Sequence, residues 1–491
     1  MSLRLLVISD IQGNIDSLTN LYQSNPVDII ISTGNFGFWD LETIETDTDL
    51  NYLKQIVAFS SVLEPQIIEE LNDLSTINGT GSYSTDEISK FKTKLTQSKN
   101  GISQFSQYVD GQKALPCPVY TIFGPLDDPR IVNQIQMNTL QVPNLYLIDH
   151  THNYEIKTTP PDIPNIKLYG LGGALKMHSL FDSGTLTYNS VSGKPSELWI
   201  TLLQIAELYL NVTTTQNMET LPNQKSINIF ITYAPVIKTP LLEHLAIITN
   251  ADFTISQGLH FRSPVMGNGM SFVDSSGGSA GYIENYRSKF SRLRMILSEI
   301  WLVIKKDIEE LLEESSSSNL KNLLELGLSL FDKISVPVND PSDKIVPLSL
   351  YEENDPEINR KVIKKLNDYY FQAYYNLWHF NPGDFAPNSE EHNYMIFKLD
   401  ERGNFKLDQC YSQGFNFNFK LNENEQELVT DKTINEEDEL DDELINPPPY
   451  LKNTRGSRGR GGWSSRRGSP SFRSRGSSFR GRSRGSRPFS R

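Results

Sequence analysis

The chain has 491 residues, 37% of them hydrophobic, with 46 Lys and Arg against 60 Asp and Glu and only two cysteines, Cys117 and Cys410. That apolar content can build a sizeable core and excludes a wholly unstructured chain. Two cysteines so far apart exclude a disulfide framework or a paired-cysteine zinc site, and no run of about 18 uncharged apolar residues is present to cross a membrane.

Residues 3–9 and 27–32 are short apolar runs rich in β-branched side chains, each ending abruptly at polar or glycine positions. Such runs read as buried parallel strands. Between them, Ile15, Leu18 and Leu21 recur at helical spacing over 14–22, giving a β-α-β unit at the start of the chain. The initial apolar run is too short for a signal peptide, so the expected location is cytoplasm or nucleus, with no secretion and no membrane partner.

Residues 40–115 are polar and helix-rich and read as an insertion between the second and third core strands. Further strands of the same kind are predicted at 118–123, 144–148, 166–171, 227–232 and 252–256. Helical periodicity continues over 284–313, 320–331 and 356–375, and 393–410 reads as a hairpin turning at Arg402-Gly403-Asn404. The domain reading is a core over 1–283, a helical and β-hairpin extension packed on it over 284–420, an acidic disordered linker over 421–453 and a basic tail over 454–491.

The linker carries 11 acids and one lysine between Leu421 and Tyr450, too few apolar groups to offset the entropy of ordering. From Arg455 to Arg491 there are 12 arginines, 8 glycines, 11 serines and no acid, so the preceding residues hold a net charge of −26 against −14 for the whole chain. Arg455, Arg458, Arg460, Arg466, Arg467, Arg473, Arg475, Arg480, Arg482, Arg484 and Arg487 alternate with glycine and serine, and Trp463, Phe472 and Phe479 are interleaved. Guanidinium groups pair with phosphates and stack on bases, aromatic rings stack on unpaired bases, and glycine keeps the backbone adaptable. The tract resembles the arginine-glycine tails of RNA-binding proteins, and its implied partner is single-stranded RNA read with low sequence specificity. Protein partners are also expected, without a chemical signature to name them.

In an open α/β sheet, chemistry belongs at the carboxyl ends of the strands. The motifs there are Ser9-Asp10-Ile11-Gln12-Gly13-Asn14, Thr33-Gly34-Asn35-Phe36, Phe123-Gly124-Pro125-Leu126-Asp127-Asp128, Thr232-Tyr233-Ala234-Pro235 and Gln257-Gly258-Leu259-His260-Phe261. Their order and spacing resemble the calcineurin-like metallophosphoesterases, which implies an α/β fold, a four-layer α-β-β-α sandwich with a two-metal site at the strand ends. Carried over residue by residue, Asp10 matches a metal ligand, but the histidine two places on is Gln12 and the bridging aspartate is Asn35. Pro125 and Leu126 stand where the family has a metal-binding asparagine and a histidine, and Asp127 matches the last position of that motif. Tyr233 replaces the lone histidine, and Leu259 and Phe261 replace the final pair, with His260 between them.

Proline, leucine and phenylalanine cannot ligate a divalent cation, so the resemblance implies a core that has lost its metals and catalysis, with no cofactor. Asp10, Gln12, Asn35, Asp127, Asp128, Tyr233 and His260 are then remnants of a pocket. Asp10 is read as satisfying loop N–H groups or capping a helix, and Asp127 and Asp128 as an Asx-turn or N-cap. The alternatives are a phosphoesterase with a reduced site at Asp10, Asp127, Asp128 and His260 holding Mn, Fe or Zn, and a pocket near Lys176 and Arg262 that binds phosphate without hydrolysis. His178 is a candidate to meet His260 near the strand ends.

Gly34-Asn35-Phe36-Gly37-Phe38, Leu171-Gly172-Gly173-Ala174, the stretch from Ala251 to Arg262 and Asn376-Leu377-Trp378-His379-Phe380-Asn381 also resemble an uncharacterised fungal family of degenerate members of this superfamily, over about residues 1–410. No activity comes with that resemblance. The combined reading is a silent scaffold tethered to RNA in messenger-ribonucleoprotein or translation-related complexes.

Overall fold

In the computed structural model, residues 2–46, 50–73, 85–98, 101–218, 226–258, 263–268, 295–312, 318–332, 361, 377–384 and 392–412 are described. Alternation along the strands decides where each apolar side chain goes. In β1 (Leu3–Ser9), Leu5 and Val7 belong to one buried cluster and Leu6 and Ile8 to another, and β2 (Ile29–Thr33) divides Ile29 and Ile31 from Ile30 in the same way. Both strands are buried on both faces, as continuous apolar runs require.

The first six-stranded sheet has the order β14-β13-β1-β2-β3-β4, with β3 at Val119–Thr121, β4 at Leu145–Leu147, β13 at Tyr394–Leu399 and β14 at Phe405–Tyr411. β1 through β4 run parallel, and the β13-β14 hairpin joins antiparallel to β1, pairing Leu5 with Phe397. The second sheet has the order β11-β12-β10-β9-β6-β5, with β5 at Tyr154–Ile156, β6 at Asn165–Leu171, β9 at Ser226–Thr232, β10 at Phe253–Ser256, β11 at Val265–Asn268 and β12 at Trp378–Asn381. Its four inner strands are parallel and its edges antiparallel. A short hairpin, β7 (Ser192–Lys194) and β8 (Glu197–Trp199), stands apart from both.

One apolar cluster draws on both sheets, joining Leu5, Val7 and Ile31 to Ile166, Ile229, Ile231 and Phe380. Each such side chain contributes roughly 1.5–3 kcal/mol on burial. The opposite face of the first sheet packs α1 (Asp16–Ser24), α6 (Phe105–Val109) and α7 (Pro129–Gln136). The opposite face of the second packs α8 (Leu202–Met218), α9 (Pro240–Ile248) and α11 (Ser318–Asp332), with the helix α10 over 295–312 adding Leu297. The chain is thus a mixed α/β fold of two six-stranded sheets and flanking helices.

The insertion between β2 and β3 is helical, with α2 (Leu41–Thr46), α3 (Leu50–Ala58), α4 (Pro65–Asp73) and α5 (Thr85–Gln97) closing their own core around Trp39, Tyr52 and Phe91. The segment read as a packed extension supplies β12 to the second sheet and the β13-β14 hairpin to the first, with the turn at Asp400–Asn404 as expected. The helix predicted over 356–375 lies outside the described residues apart from Lys361, which is helical. Residues up to Phe415 form one compact unit; a second, Asn416–Arg491, lies outside the described residues. Among the described residues no helix is long and apolar enough to cross a membrane.

Candidate site at the strand ends

The loops after β1 and β2 stay paired beyond their strands. Asp10 N–H donates to Thr33 O (2.8 Å), Gln12 N–H to Asn35 O (3.0 Å) and Gly13 N–H to Phe36 O (2.9 Å). Asp10 and Gln12 take left-handed backbone, φ +47° and +46°, a region that aspartate tolerates better than glutamine. Gly37, at φ +92°, comes so close to Gly13 that a Cβ would lie 2.0 Å from its nitrogen.

Those turns fix the Asp10 carboxylate. Oδ1 accepts the backbone N–H of Asn35 (2.7 Å) and its side-chain amide (3.1 Å), while Oδ2 accepts Nε2 of Gln257 (2.9 Å). The same Gln257 nitrogen donates to Asp384 at 2.5 Å. Asn35 returns its own oxygen to the N–H of Leu126 (2.9 Å). A neutral amide can donate to Asp10 and accept from Leu126 together; an aspartate at 35 would set a second charge against Asp10.

Asp127 lies beneath the cleft, fully buried. It accepts the backbone N–H groups of Phe36 (3.2 Å), Gly37 (2.8 Å), Phe38 (3.0 Å) and Gly124 (2.8 Å). Burial pushes its carboxyl up to about 6 against the pull of those four donors. Asp128 caps α7 through Arg130 N–H (2.8 Å), accepts the Thr43 hydroxyl (2.6 Å) and faces the Arg130 guanidinium (3.3 Å), which also pairs with Asp40 and Glu42. Its place is a neighbouring depression of about 560 Å³, not the strand-end cleft.

The cleft itself has a volume of about 880 Å³ and is lined by Asp10, Gln12, Asn35 and Tyr233 together with Pro125 and Leu126. Tyr233 has its hydroxyl pushed well above the ordinary tyrosine range by burial and by the charges of Asp10 and Asp384. The side-chain oxygens of Gln12 and Gln257 are buried and meet no donor among the described residues. Both of these unmatched atoms are acceptors.

Of the remaining walls, Lys176 alone was legible in the sequence as a site residue. Asp384 follows β12 at Gly383, φ +80°, a strand end of the same style as the others. Asn51, Tyr52, Gln55 and Phe59 come from α3 and its C-terminal end, so the insertion forms one wall, tied to the core by the Tyr52 hydroxyl and Trp39 Nε1 bonding Leu126 O at 2.7 and 2.8 Å. Lys176 pairs with Glu197 and lies 5.1 Å from the centre of the Trp199 ring, and Lys194 reaches Glu197 at 3.6 Å. His178 is exposed on the turn Met177–Ser179 and does not line the cleft. His260, Arg262 and every tail residue from Arg455 to Arg487 lie outside the described residues.

Two cations a few Å apart need several anionic or imidazole ligands with open lone pairs. Among the described residues no three His, Cys, Asp or Glu side chains converge on one point. Both oxygens of Asp10 and of Asp127 accept N–H donors instead, so the residues present do not fit a binuclear metal centre.

The family model described as "Protein of unknown function (DUF2433)" matches residues 269–420. That range includes α10, α11 and β12 to β14, and one of the four family-like stretches, Asn376–Asn381; the other three precede it. No curated protein matches the chain. Among solved structures, the crystal structure of a hypothetical protein from Thermus thermophilus is 6% identical, with 53% of this chain and 69% of that chain covered and a TM-score of 0.22.

Proposed function

We propose that the chain is a catalytically silent, calcineurin-like phosphoesterase scaffold tethered to single-stranded RNA by its arginine-glycine tail, acting in messenger-ribonucleoprotein or translation-related complexes. One observation carries the silent half of this reading: the carboxylates at the metal-ligand positions, Asp10 and Asp127, spend their oxygens on Asn35, Gln257 and backbone N–H groups. The layering of two sheets between helices and the strand-end placement of Asp10, Asn35 and Tyr233 support the calcineurin-like comparison. The RNA half rests on composition, 12 arginines in the last 37 residues without an acid.

In-cell ultraviolet crosslinking, run on the full chain and on one ending at Asn453, tests the tether. Crosslinked RNA that disappears with the tail supports it; RNA retained without the tail refutes it and moves RNA binding to the folded body. The lysines at the cleft rim favour a second reading, an anionic ligand held without turnover. It requires thermal stabilisation by inorganic phosphate that Lys176→Gln and Lys194→Gln abolish.

A further inference from the structure

A second cavity, of about 430 Å³, lies at the edge of the first sheet between the end of α7, β4 and the start of β5. Its volume falls in the range of small-ligand sites. Tyr146 and Tyr154 line it with ring centres 5.5 Å apart, and Tyr120 stacks on Tyr146 at 4.9 Å, which stiffens the aromatic wall. The side chains of Asn138, Gln141 and Asn144 add amides, and Leu140, Val142 and Leu147 add apolar surface.

One imidazole belongs to this cavity, and it is held from behind. Asp149, 0% exposed, accepts the backbone N–H groups of Thr151 (2.7 Å) and His152 (2.8 Å), the Thr151 hydroxyl (2.8 Å) and Nδ1 of His152 at 3.0 Å to each oxygen. The ring is thereby fixed through Nδ1, and Nε2 is its remaining polar atom. The hydrogen bond to Asp149 also raises the His152 pKa. No carboxylate, lysine or arginine is among the cavity-lining residues, so His152 is the ring there that can present a charged N–H donor, above the Asp149 carboxylate that holds it. Aromatic faces, amide groups and one imidazole fixed in place together match a planar base carrying a phosphate.

We infer that this cavity binds a nucleoside monophosphate unit, free or within an RNA strand, with its base against Tyr146 and Tyr154 and its phosphate at His152. The inference does not rest on the arginine tail or on the strand-end cleft. The groups facing His152 are Asp149 beneath it, His150 on the same loop with Glu207 of α8 at 3.7 Å from that neighbour, and Tyr154 across the cavity. Deprotonation of His152 therefore weakens binding as pH rises, while a free monoester phosphate is dianionic above about pH 7 and a strand phosphodiester stays monoanionic.

Calorimetric titration of the full chain with adenosine monophosphate tests it. His152→Gln, which keeps a polar side chain without the imidazole, is expected to weaken binding roughly 10- to 100-fold, the loss of one hydrogen bond to a charged group, measured below the variant's melting temperature, which falls because Asp149 loses its Nδ1 partner. Tyr146→Leu weakens it as well, whereas Lys176→Gln, in the other cleft, leaves it intact. A short oligoadenylate weakened by His152→Gln to the same degree assigns the site to RNA; an oligoadenylate indifferent to that change, beside a sensitive monophosphate, assigns it to free nucleotide. No saturable binding at millimolar adenosine monophosphate, or binding that His152→Gln leaves unaltered, overturns the inference.

Discussion

The side-chain amide of Gln257, at the end of β10, donates to the carboxylate of Asp10, at the end of β1, at 2.9 Å, and so joins the carboxyl edge of one sheet to that of the other. The same nitrogen reaches Asp384 after β12. A neutral amide thus stands between two carboxylates where the two sheet edges meet.

Replacing that amide separates the two functions it serves. Gln257→Leu leaves Asp10 and Asp384 without their shared donor inside a buried floor, and unfolding is expected to become easier by about 2–3 kcal/mol. Denaturant titration of the variant against the parent reads this directly, and an unchanged midpoint would count against the bridging role.

Asp127 makes a sharper case. Asp127→Asn presents an amide NH2 to an array of four backbone N–H donors, so at least one donor meets a donor. The cost is expected at about 2–4 kcal/mol, the penalty of buried unmatched polar groups, and a fall in melting temperature measures it.

Acid sensitivity follows from His379. Burial lowers its pKa from 6.5 to about 4, so the folded state favours the neutral ring. Its contribution is complete above pH 6.5 and is lost as pH falls towards 4, amounting to roughly 3 kcal/mol over that window. Asp127, raised to about 6, acts in the opposite sense, its ionisation penalty disappearing as pH falls. The informative comparison is therefore the parent against His379→Asn, whose stability is expected to vary less between pH 7 and pH 4.5, measured by guanidinium midpoints at each pH.

The tail carries its own expectation. Under the proposed RNA tether, affinity should fall steeply with salt because several phosphates are neutralised, and replacing the tail arginines with lysine should weaken binding further while keeping the salt slope, since lysine retains charge but not planar stacking. Fluorescence anisotropy with a short single strand checks both; equal affinity of the lysine variant would reduce the tail to a simple polycation.

Sequence reasoning reached the parallel strands because their apolar runs are buried on both faces, as in β2, whose five residues are all buried. It missed β5, β7, β8, β11 and β12, three or four residues each, whose pairing is set by partners elsewhere in the chain: β12 lies beside β10, and His379 opposite Thr254. The strand-end motifs brought Asp10, Gln12, Asn35 and Tyr233 to one cleft because the carboxyl ends of parallel strands share an edge. Asp127, two places beyond Pro125, turns inward to serve the backbone of the β2 loop, and Asp128 turns to cap α7. Nothing local to α3 marks Phe59 as a cleft wall, since that role is set by how the insertion folds back over Leu126.

The central claim is that this strand-end site holds no catalytic metals. The most direct measurement is elemental analysis of the full chain purified without chelator. The account predicts Mn, Fe and Zn all far below one atom per chain; one or two bound atoms per chain, lost on Asp10→Ala, would contradict it.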